Sequence, residues 1–329
     1  MTSSNKAVVL GANGFLGSHV TRALVQAGRD VRAMVRAGRD LNPNIRGLGM
    51  ELVEGDALDQ ASLVRAMAGR ESVFYCIVDT RAWLHDPTPL YRVNVDGLRN
   101  AMEAALAVGV RRFLFSSTVC SIGLNPSGVA SEADAFNWAD QASDYVLARV
   151  KGENLFMEYC RRGLPGVALN VAMPYGAGDT QPTAHGKLLK FAARGLIPAY
   201  WDTSLAMVGI EDVARAMLLA EQRGRVGERY IISGRLMSFR EVWAIGARHA
   251  GRPGPFIYIP MPVMEAICWL TKRVAYVVGR QTVVTPESLR LSYVMKDFDT
   301  HKAREELRWE PRPLEQSIRE AVDWFKQHP

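Results

Sequence analysis

The chain has little cysteine. Its four thiols, Cys76, Cys120, Cys160 and Cys268, are widely spaced and form no CxxC pair. That excludes a disulfide-stapled scaffold and a thiolate zinc site, and it points to free thiols in a reducing compartment. The histidines (His19, His85, His185, His249, His301, His328) have no metal-like spacing, so no metal is expected. Low-complexity tracts and fixed-period repeats are absent, which excludes a mainly disordered chain and a solenoid. The net charge of +6 comes from scattered arginines, not from a basic stripe interleaved with aromatics, so no nucleic-acid partner is expected. Local anion binding explains those arginines more economically. No uninterrupted apolar run approaches the roughly 20 residues that span a bilayer. The N-terminal MTSSNKAVVLGANG enters a strand at once and leaves no room for a signal peptide, so the cytoplasm is the expected compartment.

What the sequence does contain is apolar content of 48% in 329 residues, enough to bury a large core. At roughly 150 residues per domain, two domains are expected. The first half alternates strand-like runs with amphipathic stretches, the pattern of βαβ units on a parallel sheet. Strands are predicted at 7–10, 31–35, 51–54, 73–78 and 112–115, the last ending in SST. Helices are predicted near 15–27 and 61–68 and over 94–108. Beyond them, 145–162 reads as helix and 167–171 as a sixth strand, followed by MPYGAGD as a turn-rich loop. Residues 208–221 and 229–232 read as a return to the sheet, and 239–249, 262–278 and 314–325 as further helices. The predicted architecture is α/β, a doubly wound parallel sheet of the Rossmann type with a smaller, discontinuous C-terminal lobe. Its nucleotide-binding part takes 1–171 and 206–234, and its substrate lobe takes 172–205 and 235–329.

Three constellations carry chemistry. The turn Gly11-Ala12-Asn13-Gly14-Phe15-Leu16-Gly17 follows a strand and opens a helix, the context of a dinucleotide site. One glycine permits the tight turn, one lets backbone approach a pyrophosphate, and one lets helix and strand pack closely. After the second strand, where an NAD site places an acid, the chain reads Val35-Arg36-Ala37-Gly38-Arg39. A guanidinium there attracts a 2′-phosphate, so NADP(H) is favoured over NAD(H). Asp56, in GDALD, is placed to accept from the adenine amine or simply to cap a helix. The third constellation is Thr118, Tyr145 and a cation shortly after Tyr145.

At this point the chain resembles an extended short-chain dehydrogenase/reductase along nearly its whole length. GANGFLG, GDALD, YRVNVDGLRN, RFLFSSTVCSIG, YVLARVKGEN and FDTHKAREELRWEPR fall in that family's order. Within it, the LYRVNVDGLRN stretch, the NVAMPYGAGD loop and the apolar helix after Pro260 are most similar to the dihydroflavonol-4-reductase, 3β-hydroxysteroid dehydrogenase and hopanoid-associated sugar epimerase group. The resemblance implies Tyr145 as the acid or base and Thr118 as the hydroxyl that holds the substrate oxygen. It also implies Asn94, Ala57 and Pro174 as members of the cofactor site. The family's YxxxK is broken: Arg149 stands four residues after Tyr145, and Lys151 is two further on, pointing about 200° away on a helix. Arg149 is expected to hold the nicotinamide ribose and to lower the tyrosine pKa as a permanent cation. Asp79, Trp83 and Tyr175 are expected near the substrate, and a homodimer is implied by the resemblance.

The expected function is NADP(H)-dependent interconversion of a ketone and a secondary alcohol on a hydrophobic cyclic compound. A sugar-nucleotide epimerase or dehydratase is one alternative, and a catalytically weak NADP(H)-reading protein is another. The segment 256–278 is expected to form a lid over the substrate pocket, with peripheral membrane contact as an added role.

Overall fold

The structure, a computed structural model, describes residues 5–278, 282, 284–294 and 297–328. Its elements run in the order β1 (Lys6–Leu10), α1 (Phe15–Gln26), β2 (Asp30–Val35), β3 (Glu51–Glu54), α2 (Gln60–Met67), β4 (Ser72–Tyr75), α3 (Leu98–Val108) and β5 (Arg112–Thr118). Then come α4 (Asp144–Arg161), β6 (Gly166–Val171), β7 (Met173–Tyr175), α5 (Ala184–Ala193), β8 (Leu205–Gly209), α6 (Ile210–Arg223), β9 (Arg229–Ile232), β10 (Arg235–Met237) and α7 (Phe239–His249). The last helices are α8 (Met261–Val277), α9 (Pro286–Val294), α10 (His301–Leu307) and α11 (Leu314–Gln327).

Strand residues with period two feed two cores at once. Ala7 and Val9 enter one layer with Val20 and Leu24 of α1 and Val213 of α6, whereas Val8 and Leu10 enter the other with Leu63 of α2, Leu98 of α3 and Phe156 of α4. A sheet covered on both faces needs apolar residues at every position, which is why these strands read as continuous runs. The sheet has seven parallel strands in the order β9-β6-β5-β4-β1-β2-β3. The order reverses between β1 and β4, and a crevice at the carboxyl ends of those two strands is where such sheets bind ligands.

The smaller lobe holds a three-stranded sheet, β10-β8-β7, under α5, α7 and α11. Residues 205–209 therefore join this sheet, not the main one; only 229–232 return to the central sheet. The MPYGAGD loop likewise begins as a strand, because Met173–Tyr175 pairs with Met207–Gly209. The fourth central strand stops at Tyr75, three residues earlier than its apolar run, and the fifth extends to Thr118.

The predicted helix over 94–108 is interrupted. Arg92–Gly97 forms a π-helical turn, and regular α-helix begins only at Leu98. Two close approaches flank that turn. A Cβ on Gly97 would stand 2.9 Å from the Ala57 Cβ, and one on Gly152 of α4 would stand 2.7 Å from the Asn94 carbonyl. Backbone contact at both sides replaces side-chain packing, and no periodicity argument registers it.

Candidate active site

The glycine turn is built as the sequence required. Gly11 has φ +82°, a left-handed conformation open to glycine. A Cβ at Gly17 would lie 2.1 Å from the Gly11 carbonyl oxygen, so only glycine lets the helix return this close to the strand. Gly14 is the N-cap of α1; no side chain caps that end and no acid occupies the first turn. The N–H groups around Phe15, Leu16 and Gly17 are thus the unpaired donors of a helix start, suited to a diphosphate. The Asn13 side chain is engaged within the fold. Its side-chain Oδ1 accepts from the Asn42 backbone amide at 2.7 Å and its NH2 donates to the Asp40 carbonyl at 2.9 Å, so it staples the turn to the following loop.

At the ends of β2 and β3 lies a cavity of about 450 Å³ whose cationic lining is Arg36, Arg39 and Arg65. Asp56, Glu54 and Asp59 also border it. The Asp56 carboxylate accepts from the Leu58 amide at 2.8 Å, while the N-cap of α2 is Asp59, bonded to the Ser62 amide at 3.3 Å. Ala57 is buried beneath Gly97 and gives its carbonyl to Asn100 at 3.1 Å. The uncapped glycine turn fits the diphosphate of a dinucleotide, and the cavity at the ends of β2 and β3 offers both arginines and carboxylates to its adenosine end.

Thr118, Tyr145 and Arg149 converge at the end of β5. Burial pushes the Tyr145 phenol up to about 12, against the opposing pull of the Arg149 charge and of the Thr118 hydroxyl beside it. Arg149 thus lowers the Tyr145 pKa as expected, but desolvation of the phenol raises it by more, and the net shift is upward. Arg149 is only 2% exposed. Its Nη2 donates to the Ser116 carbonyl at 2.6 Å and its guanidinium covers the Phe115 ring at 5.3 Å. It is folded under the strand end, so it acts on Tyr145 through charge, and its reach toward a ribose is limited by these contacts. Lys151 points elsewhere, its ammonium over the Tyr91 ring at 5.8 Å. Cys120 is buried next to the pair, and its thiol is pushed up by burial.

Asn94 is committed to backbone. It accepts from the Asp79 amide at 3.0 Å and donates to the Asp79 carbonyl at 2.9 Å, which fixes the loop after β4 at the crevice mouth. Burial opposes ionisation of Asp79, but hydrogen bonds from Arg81 outweigh it and hold the carboxyl below the usual range. Arg36 contributes to the same field. Trp83 borders a second cavity, of about 260 Å³, together with Asp144 and Leu147 of α4 and Lys272 and Ala275 of α8. That cavity adjoins the start of α4, where Asp144 immediately precedes Tyr145, and the segment predicted as a lid borders it. Tyr175 is placed differently from expectation: it is 2% exposed, inside the core of the smaller lobe and edge-on to His185 at 5.0 Å. Strand β7 turns its side chain inward. Pro174, its neighbour, offers its carbonyl to His185 at 2.9 Å.

One cluster went unread in the sequence. Glu153 is buried, four residues beyond Arg149 on the same helix face. It accepts from the Ser117 hydroxyl, from Ser121 at 2.7 Å and from Asn170 at 2.6 Å, and it pairs with Arg229 at 2.9 Å. The i, i+4, i+8 spacing of Tyr145, Arg149 and Glu153 was the available signal. This network pins α4 to the ends of β5, β6 and β9. Among the described residues, no group of three or more His, Cys, Asp or Glu could hold a metal ion.

These features accord with the chain's relatives. Residues 7–233 match the model of the NAD dependent epimerase/dehydratase family. A Synechocystis sp. protein provisionally named dihydroflavonol 4-reductase is 29% identical, covering 97% of this chain and 94% of its own. Sterol demethylase protein B of Methylococcus capsulatus is also 29% identical, covering 97% of this chain and 98% of its own. The crystal structure of a nucleoside-diphosphate-sugar epimerase from Pseudomonas aeruginosa superposes with a TM-score of 0.80 at 25% identity, covering 98% of each chain. The chain belongs to the NAD-dependent epimerase/dehydratase family, and it is an NAD(P)-dependent oxidoreductase with the extended short-chain dehydrogenase/reductase fold.

Proposed function

We propose that the enzyme reduces a ketone on a hydrophobic cyclic compound to a secondary alcohol, with NADP(H) as its cofactor. The observation that carries this reading is the meeting of Thr118 and the part-buried Tyr145 beside the buried Arg149 cation at the end of the nucleotide crevice. The nicotinamide, when bound, supplies the hydride. Thr118 donates to the carbonyl oxygen and polarises it. As the carbon–oxygen π pair moves onto oxygen, Tyr145 gives up its phenolic proton to complete the alcohol. The phenolate left behind lies in the field of Arg149 and takes its next proton from solvent. The flavonoid and sterol names of the relatives support a hydrophobic cyclic substrate, as does Trp83 at the cavity beside α4.

The preference for NADP(H) is supported by Arg36, Arg39 and Arg65 around the cavity after β2. Charge-assisted hydrogen bonds contribute about 1.5–3 kcal/mol each. Arg36→Ala therefore raises the Kd for NADPH by about tenfold or more, measured by calorimetry, while the Kd for NADH stays within about twofold. Equal losses for both nucleotides would show that Arg36 serves no 2′-phosphate. For the reaction itself, the test is turnover of steroid, terpenoid and flavonoid ketones by the native enzyme with NADPH. If it instead copurifies with tightly held NAD(H) and turns over a sugar nucleotide, the epimerase reading replaces this one.

A further inference from the structure

We propose that the outer face of α8, with the strand leading into it, docks onto an anionic phospholipid bilayer. The assignment concerns a surface away from Tyr145 and does not depend on the substrate proposed above. On a surface helix the outward stripe is ordinarily polar. Here Val263, Ile267, Leu270, Val274 and Val277, spaced at i, i+4, i+7, i+11 and i+14, are all exposed, the last at 82%. Met264, Cys268 and Ala275 fill the buried stripe, so α8 is apolar on both sides. Phe256, at 71% exposure, stands just before the short strand Ile257–Tyr258, whose two residues are also exposed and pair with Ala199 and Tyr200. Contiguous exposed apolar patches mark interaction sites, whereas single exposed apolar residues do not.

The rim identifies the occupant. Trp269 and Tyr276, at 57% and 70% exposure, lie together on one side of the stripe, Tyr276 edge-on to His85 at 5.7 Å, and the Arg273 guanidinium stacks on Trp269 at 5.2 Å. Aromatic rings with a polar edge beside a cation are suited to the headgroup level of a membrane. Arg194 and Arg252, near the start of the patch, are exposed, and neither they nor Arg273 has a carboxylate partner among the described residues. Glu265, the acid of α8, lies off the stripe, toward the α9 side that Lys272 shares. A second copy docked through this face would bring the same three arginines to the interface again, whereas anionic headgroups neutralise them. No helix of the described residues is long and apolar enough to cross a membrane, so contact is at the interface. The same helix lines the cavity beside α4 through Lys272 and Ala275.

The test is co-sedimentation of the full chain with sucrose-loaded vesicles of mixed phosphatidylglycerol and phosphatidylcholine, compared with phosphatidylcholine alone. The chain sediments with the anionic vesicles, and added salt weakens that association. The double variant Leu270→Asp/Val274→Asp lowers the partition by at least about tenfold, and Arg273→Glu removes much of the preference for anionic lipid. Nucleotide affinity and Tm, read in parallel, stay at their native values and show that each variant is folded. Absence of sedimentation with either vesicle overturns the proposal, as does sedimentation that the double variant leaves unchanged. Equal binding to neutral vesicles overturns the assigned headgroup charge. A dimer in sedimentation velocity that the double variant dissociates, without vesicle binding, assigns the face to a second copy instead.

Discussion

Tyr145→Phe lowers kcat by about a thousandfold and leaves the Kd for the nucleotide within about twofold. Proton transfer from a positioned side chain contributes typically 10² to 10⁴ in rate. Tyr145 is the group placed to make that transfer, because burial keeps its proton on at neutral pH while Thr118 and Arg149 favour its leaving. The substitution removes one oxygen and leaves the ring in its packing against the core that includes Val146. Steady-state kinetics with NADPH and calorimetry on the same preparation separate the two effects. A variant that keeps native kcat, or that loses turnover and nucleotide affinity together, contradicts the assignment.

Arg229→Met destabilises the fold by about 3 kcal/mol, a loss visible as a Tm lower by roughly 5 °C or more in calorimetry. Removing one partner of a buried pair leaves the other charge desolvated. Glu153 is 3% exposed at its side chain and would keep only the neutral donors Ser117, Ser121 and Asn170. Arg229, at 20%, is less secluded, which places the figure at the lower end for such pairs. Its loss also frees the Glu132 carbonyl, which accepts from Arg229 at 2.6 Å. Combining Arg229→Met with Glu153→Gln recovers part of the loss, since no unpaired carboxylate remains. Strict additivity of the two substitutions would show that the pair is uncoupled.

The central sheet was legible because its strands are buried on both faces and read as apolar runs, with Gly11, Gly28 and Gly109 marking the turns at positive φ. Tyr145, Thr118 and the glycine turn were legible because order and spacing along the chain identify them. Three-dimensional packing decided the rest. Nothing in residues 94–108 announces a π-helical turn, whose flanking contacts are with Ala57 and Gly152, distant in sequence. The strand 205–209 pairs with 173–175 across a helix, so its sheet could not be read locally. Tyr175 looked available as an aromatic beside a loop, yet the inward phase of a three-residue strand buries it. The balance between burial and charge at Tyr145 likewise depends on enclosure that no motif encodes.

The wide turn at Arg92–Gly97 makes this stretch intolerant of a change in length that its sequence alone would accept. Excising one residue there would restore ordinary helical winding and gain local regularity, but it would swing everything upstream by about 100°. The amide that grips both backbone groups of Asp79 would be carried off with it. Insertions and deletions are accordingly expected to accumulate in surface loops of related chains and to spare these six positions, whatever residues occupy them.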